Sequence, residues 1–145
     1  MKLFNIIFFT LFIINFNYSQ VKKNVFFDQK VLIKKFHTID ELEGLKKGEL
    51  TKLYADRINE IITILPYLAL TNEANVRMSD IGIQENSGHL KSLNKQHIAT
   101  SEALENTKTV ISEFIPYADT EKIIWGILYF EEIIKKIRIG ANGNF

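Results

Sequence analysis

The sequence predicts an all-α fold: a small helical bundle of three long helices, with a short N-terminal helix and an extended arm. Three observations carry this expectation. Apolar residues recur at three- and four-residue spacing over long stretches, as amphipathic helices require. The two prolines, Pro66 and Pro116, close two such stretches within the similar runs Ile61–Tyr67 and Val110–Tyr117. The one strand candidate, between Gln20 and Phe36, alternates poorly and has no evident partner.

The chain opens with Met-Lys and an apolar run, Leu3 to Phe16, broken only by Asn5, Thr10 and Asn15. A short positive start and an apolar stretch of this length read as a secretory signal peptide over 1–19. The run is shorter than the roughly 20 apolar residues of a transmembrane helix. Ser19 is small, as a signal peptidase pocket needs, although Asn17 is a poor match two residues earlier. Cleavage after Ser19 leaves Gln20–Phe145, 126 of the 145 residues. Lys2 leaves with the leader, so basic residues fall from 18 to 17 and equal the 17 acidic ones. A neutral exported chain has no electrostatic reason to bind nucleic acid, and it meets a membrane only through an uncleaved leader. The absence of cysteine excludes a disulfide scaffold, a thiolate metal site, a cysteine nucleophile and a cysteine-linked lipid. The exported fold therefore rests on packing alone.

Residues 20–37 read as an arm lying on the core, because a lone strand is not stable. The helical domain spans 38–140. Thr38-Ile39-Asp40-Glu41 is a capping box, in which Thr38 accepts the third amide and Glu41 reaches back to the cap. It opens a short helix near 39–47, with Ile39, Leu42 and Leu45 on one side. The first long helix starts near Glu49, and Leu50, Leu53, Tyr54, Ile58, Ile61, Ile62 and Leu65 form its apolar stripe. Pro66 has no amide to continue the ladder, so the helix kinks or ends there and the element closes by about 70. Residues 75–88 read as a long connector holding one or two helical turns. The second long helix, near 87–116, carries a stripe of Leu90, Leu93, His97, Ser101, Leu104, Lys108, Ile111 and Phe114. The third, near 119–139, has Glu121 in its first turn and Lys135, Lys136 and Arg138 in its last, as the helix dipole favours. Residues 141–145 read as a disordered tail.

The motifs of common chemistries are missing. His37, His89 and His97 show no His-Glu-x-x-His or Glu-x-x-His spacing, so the expectation is no metal and no cofactor. No nucleophile elbow or phosphate-binding glycine loop occurs, and Ser87-Gly88 reads as a helix start. Glu131 and Glu132 sit four residues before Lys135 and Lys136, the spacing of ordinary surface pairs.

Two features invite a functional reading. The stripe of the second long helix turns polar at His97, Thr100, Ser101 and Thr107, opposite Tyr54, Arg57 and Asn59 of the first. An interhelical hydrogen-bond network is the first expectation there. A small ligand-binding or hydrolytic cleft using Tyr54, Arg57, His97 and Ser101 is the alternative. The last helix is apolar around most of its circumference, which predicts central burial. Its alternative is a surface for a protein partner or a second copy, anchored by Trp125, Tyr129 and Phe130. The functional expectation is an exported, non-catalytic helical protein, periplasmic or secreted, that acts through protein contacts.

Overall fold

The computed structural model describes residues 24–140, so the leader and the 141–145 tail lie outside the described residues. Four helices form among the described residues: α1 (Ile39–Glu43), α2 (Lys47–Ile64), α3 (Ser87–Phe114) and α4 (Thr120–Gly140). Short 3-10 turns occupy Gln29–Val31, Leu65–Tyr67, Met78–Ile81 and Ile115–Tyr117. Among the described residues no strand forms beyond an isolated antiparallel bridge between Val25 and Arg77.

Local chemistry sets the helix ends. At α1 the Thr38 hydroxyl accepts from Glu41 N–H while the Glu41 carboxylate accepts from Thr38 N–H, completing the box. This helix ends at Glu43, earlier than expected, and α2 begins at Lys47 rather than Glu49. The cause is Glu49, whose carboxylate accepts from Lys46 N–H at 2.9 Å and starts the helix two residues early. Asn86 caps α3 through its Oδ1, which accepts from His89 N–H at 2.9 Å. At both Pro-Tyr sites the α-helix tightens into a 3-10 turn, Leu65–Tyr67 and Ile115–Tyr117. The chain leaves helical structure there instead of continuing to 70. Gly82 ends the Met78–Ile81 turn at φ 80°, a left-handed conformation that suits glycine.

The long helices run up, down and up. Leu50 clusters with Ile123 and Ile127, Arg57 meets Glu131, and Glu60 meets Arg138. Because both numbers rise together, α2 and α4 are parallel. The α3 helix is antiparallel to them, with Leu93 sharing a cluster with Ile64, Tyr67 and Ile137. Gly126 lets α2 and α4 approach closely: a Cβ there would lie 2.8 Å from Tyr54 Cε2.

Two apolar clusters close the ends of the bundle. One holds Phe26, Phe27, Ile64, Tyr67, Met78, Leu93 and Ile137; the other holds Leu42, Leu50, Ile123, Ile124 and Ile127. Between them the buried residues include three charged ones, Arg57, Glu60 and Glu131. The arm links both levels. Phe26 N–H donates to Val76 C=O at 3.0 Å and Asn75 N–H to Phe27 C=O at 2.9 Å, and the chain then crosses to the α2–α4 groove.

The last helix is not buried all round. Its inner face, Ile123, Ile127, Glu131 and Ile134, is at most 2% exposed, whereas Trp125 and Tyr129 are 63% and 67% exposed. The two glutamates also correct the expectation of paired surface residues. Glu131 is buried, and Glu132 bonds Lys135 at 2.6 Å rather than Lys136. Helix phase explains this: adjacent residues point about 100° apart, so one glutamate faces α2 while its neighbour faces solvent.

Candidate functional site

The three buried charges and the half-buried Arg138 form two crossed pairs that fasten the arm. Arg57 on α2 donates to Glu131 Oε1 on α4 through Nε at 3.0 Å and through a terminal nitrogen at 2.6 Å. The other Glu131 oxygen accepts from His37 N–H of the arm at 2.7 Å. Arg57 also donates to the carbonyls of Lys35, at 3.1 Å, and Leu53, at 3.3 Å. His37 Nδ1 lies 3.1 Å from Glu131 Oε1 and 3.0 Å from the Arg57 guanidinium. One ring nitrogen serves one of these neighbours at a time, accepting from Arg57 when bare or donating to Glu131 when protonated.

The second pair exchanges the signs. Glu60 on α2 accepts from Arg138 on α4 at 2.7, 2.8 and 3.0 Å. It also accepts from Ile33 N–H at 2.6 Å, while Arg138 donates to Ile33 C=O at 3.0 Å. Phe36 lies beneath the cations of Lys135 and Arg138, 5.3 and 5.2 Å from its ring centre. Thus Ile33, Lys35, Phe36 and His37 are each held by a charged side chain. Asn72 completes the layer by donating to the Ile137 and Arg138 carbonyls near the end of α4. The geometry is that of a latch: the carboxylates are occupied by arginine and by backbone amides of the same chain.

The four residues expected to line one interhelical cleft are divided between two places. Tyr54 packs edge-on against Phe130, with ring centres 5.2 Å apart, and Arg57 is committed to Glu131. Both serve the α2–α4 contact. His97 and Ser101 line a different space, a cavity of ≈ 290 Å³ between the arm, α2 and α3. His97 Nε2 donates to Phe26 C=O at 2.9 Å, and its ring meets Tyr67 edge-on. The sequence expectation fails because Arg57 points toward α4 and the arm. Thr100 and Asn59 do line the cavity together with His97 and Ser101.

Tyr67 is the unusual wall of this cavity. It is 5% exposed, and its hydroxyl has no hydrogen-bond partner among the described residues. Burial pushes its pKa up to about 12, because the phenolate loses hydration. Phe26, Phe27, Val31 and Leu104 supply its apolar walls, opposite the polar residues already named. A second groove of ≈ 400 Å³ runs beside the arm, with Lys30, Lys34 and Lys35 on one side and Arg57 and Asp56 on the other. Among the described residues no group of three His, Asp or Glu side chains is arranged to hold a metal ion. No helix among them is long and apolar enough to cross a membrane.

Of the three expected contact residues, Trp125 and Tyr129 are exposed one turn apart, while Phe130 is half-buried against Tyr54. Glu60, Glu131 and Arg138 are the polar residues whose structural role sequence reasoning missed. Their signal was present as a spacing. Leu53, Arg57, Glu60, Ile64 and Tyr67 form one three-four stripe, and Ile124, Ile127, Glu131, Ile134 and Arg138 form another. Each apolar stripe is interrupted by one charge of each sign. No known protein family, curated protein or solved structure matches the chain.

Proposed function

We propose that this chain is an exported, non-catalytic helical protein that acts through protein contacts made by the outer face of α4. The carrying observation is the pair Trp125 and Tyr129, 63% and 67% exposed on a helix whose opposite face is fully packed. The fold does not need these rings, since Ile123, Ile127 and Ile134 already supply the inner face. Exposed Trp and Tyr bury large areas at low entropic cost when a partner covers them. The non-catalytic part is supported by the polar groups: Glu60, Glu131 and His97 are bonded to backbone groups of the arm, and the His37 ring lies against Glu131 and Arg57. Export is supported by the leader-like run over 1–19.

An aromatic photo-crosslinking residue, which keeps a ring at position 125, tests the reading in the host, with position 95 as an exposed control on α3. The expected result is an adduct from 125 in the exported fraction and none from 95. A chain retained in the cytoplasm, or one giving no adduct from 125, overturns it.

A further inference from the structure

The outer face of α4 carries more than two aromatic rings. Lys122, Trp125, Tyr129, Glu132, Lys136 and Ile139 are all exposed and follow a three-four spacing, the period of a coiled-coil stripe. At 100° per residue the first five lie within roughly 40° of the line opposite buried Ile127. They form one continuous seam pointing away from the bundle.

The seam is also self-complementary about Ile127. Trp125 and Tyr129 stand two residues either side of it, and Lys122 and Glu132 stand five residues either side. If a second α4 lies antiparallel on the first, a two-fold axis at Ile127 brings each Trp125 to the other copy's Tyr129. The same operation brings each Lys122 to the other copy's Glu132. A parallel arrangement would instead oppose lysine to lysine and glutamate to glutamate. In the single chain Lys122 bonds Asp119 at 3.0 Å and Glu132 bonds Lys135 at 2.6 Å. Both are solvent-exposed pairs three residues apart, which hold their partners weakly. Isologous pairing of one patch with itself is the commonest route to a dimer.

We infer that the partner of this face is a second copy of the chain, joined through an antiparallel α4–α4 contact centred on Ile127. This rests on the contact reading above and makes it specific. Aromatic rings supply the buried centre, and two Lys122–Glu132 pairs set the direction.

The test is sedimentation equilibrium of the purified protein, as its host processes it, over about 5 to about 500 µM. The expected result is a concentration-dependent approach to twice the chain mass. Lys122→Glu and Glu132→Lys should each lower the association constant about tenfold by opposing like charges, and the double variant should recover it. Trp125→Ala should abolish association, while the circular dichroism, and the thermal midpoint at a dilution where the native chain is monomeric, stay unchanged. A monomer at every concentration overturns the inference, as does a dimer indifferent to Trp125→Ala. A double variant that stays as weak as the singles overturns the antiparallel register. Crosslinking separates this failure from that of the broader reading. A monomer whose position 125 crosslinks to a different protein sinks the second copy alone, whereas a monomer with no adduct sinks both.

Discussion

Glu131 and Glu132 are neighbours of the same type on one helix, and the structure gives them opposite fates. The Glu131 side chain is 1% exposed and joins α4 to α2 and the arm, whereas that of Glu132 is 61% exposed and, among the described residues, bonds Lys135 alone. The whole of α4 divides along the same line. Its inner face is isoleucine with a buried carboxylate, and its outer face is aromatic with exposed charges. Helix phase against α2 makes this division, since local sequence treats the two glutamates alike.

Substitutions on the two faces test the division, and the largest effect belongs to the buried carboxylate. Glu131→Ala leaves the Arg57 guanidinium buried without its counterion, which costs about 3–5 kcal/mol. The urea midpoint should fall steeply, while Glu132→Ala leaves it unchanged. Equal effects from the two would erase the contrast. Next comes the apolar inner face. Ile127→Ala removes a side chain with no exposure and should cost about 2–5 kcal/mol. Trp125→Ala, on the outer face, should leave the unfolding midpoint of the monomer where it was. The rim between the faces gives a smaller effect. Gly126→Ala puts a Cβ 2.8 Å from Tyr54 Cε2 and should cost about 1–3 kcal/mol as the ring is displaced. Double variants with Tyr54→Ala should recover part of that loss in thermal melts.

The smallest prediction carries the comparison to the two Pro-Tyr turns. Tyr67 is 5% exposed and Tyr117 is 88% exposed, although both close a long helix in the same way. Tyr67→Phe removes an unpaired buried hydroxyl and should stabilise the fold by about 1 kcal/mol, whereas Tyr117→Phe should change nothing. A destabilised Tyr67→Phe variant would show that the hydroxyl has a partner in solution. Alkaline titration gives an independent check. The folded pKa of Tyr67 lies at about 12, above the ordinary value of 10.0, so folding favours the neutral phenol. The stability linked to it is fully present below pH 10.0 and is lost as pH rises toward about 12. Relative to the native protein, the phenylalanine variant should lose less stability across that window.

Much of the fold was legible because its signals are local. The Thr38–Glu41 box, the start of α3 at Asn86 and the stops before Pro66 and Pro116 depend on side chains a few residues from the backbone groups they affect. The apolar stripe points to a start near Glu49, but α2 begins at Lys47 because the Glu49 carboxylate caps Lys46 N–H. The candidate sites were less legible. Trp125 and Tyr129 stand exposed, but Phe130 turns inward to Tyr54. The sequence sets Tyr54 and Arg57 opposite His97 and Ser101, as a hydrogen-bond network or alternatively a cleft, yet both face α4. Periodicity alone does not say which neighbouring helix a stripe will meet.

The sequence by itself determined the number and period of the long helices, their caps and their proline-marked ends. Those features follow from dihedral preference and from hydrogen bonds spanning four residues or fewer. Only the tertiary structure decided that Arg57 meets Glu131 across 74 positions and that Glu60 meets Arg138 across 78. It also decided that the arm threads over both pairs. Desolvation is the physical reason. A charge removed from water must find its partner wherever packing brings one, and sequence distance does not constrain where that is.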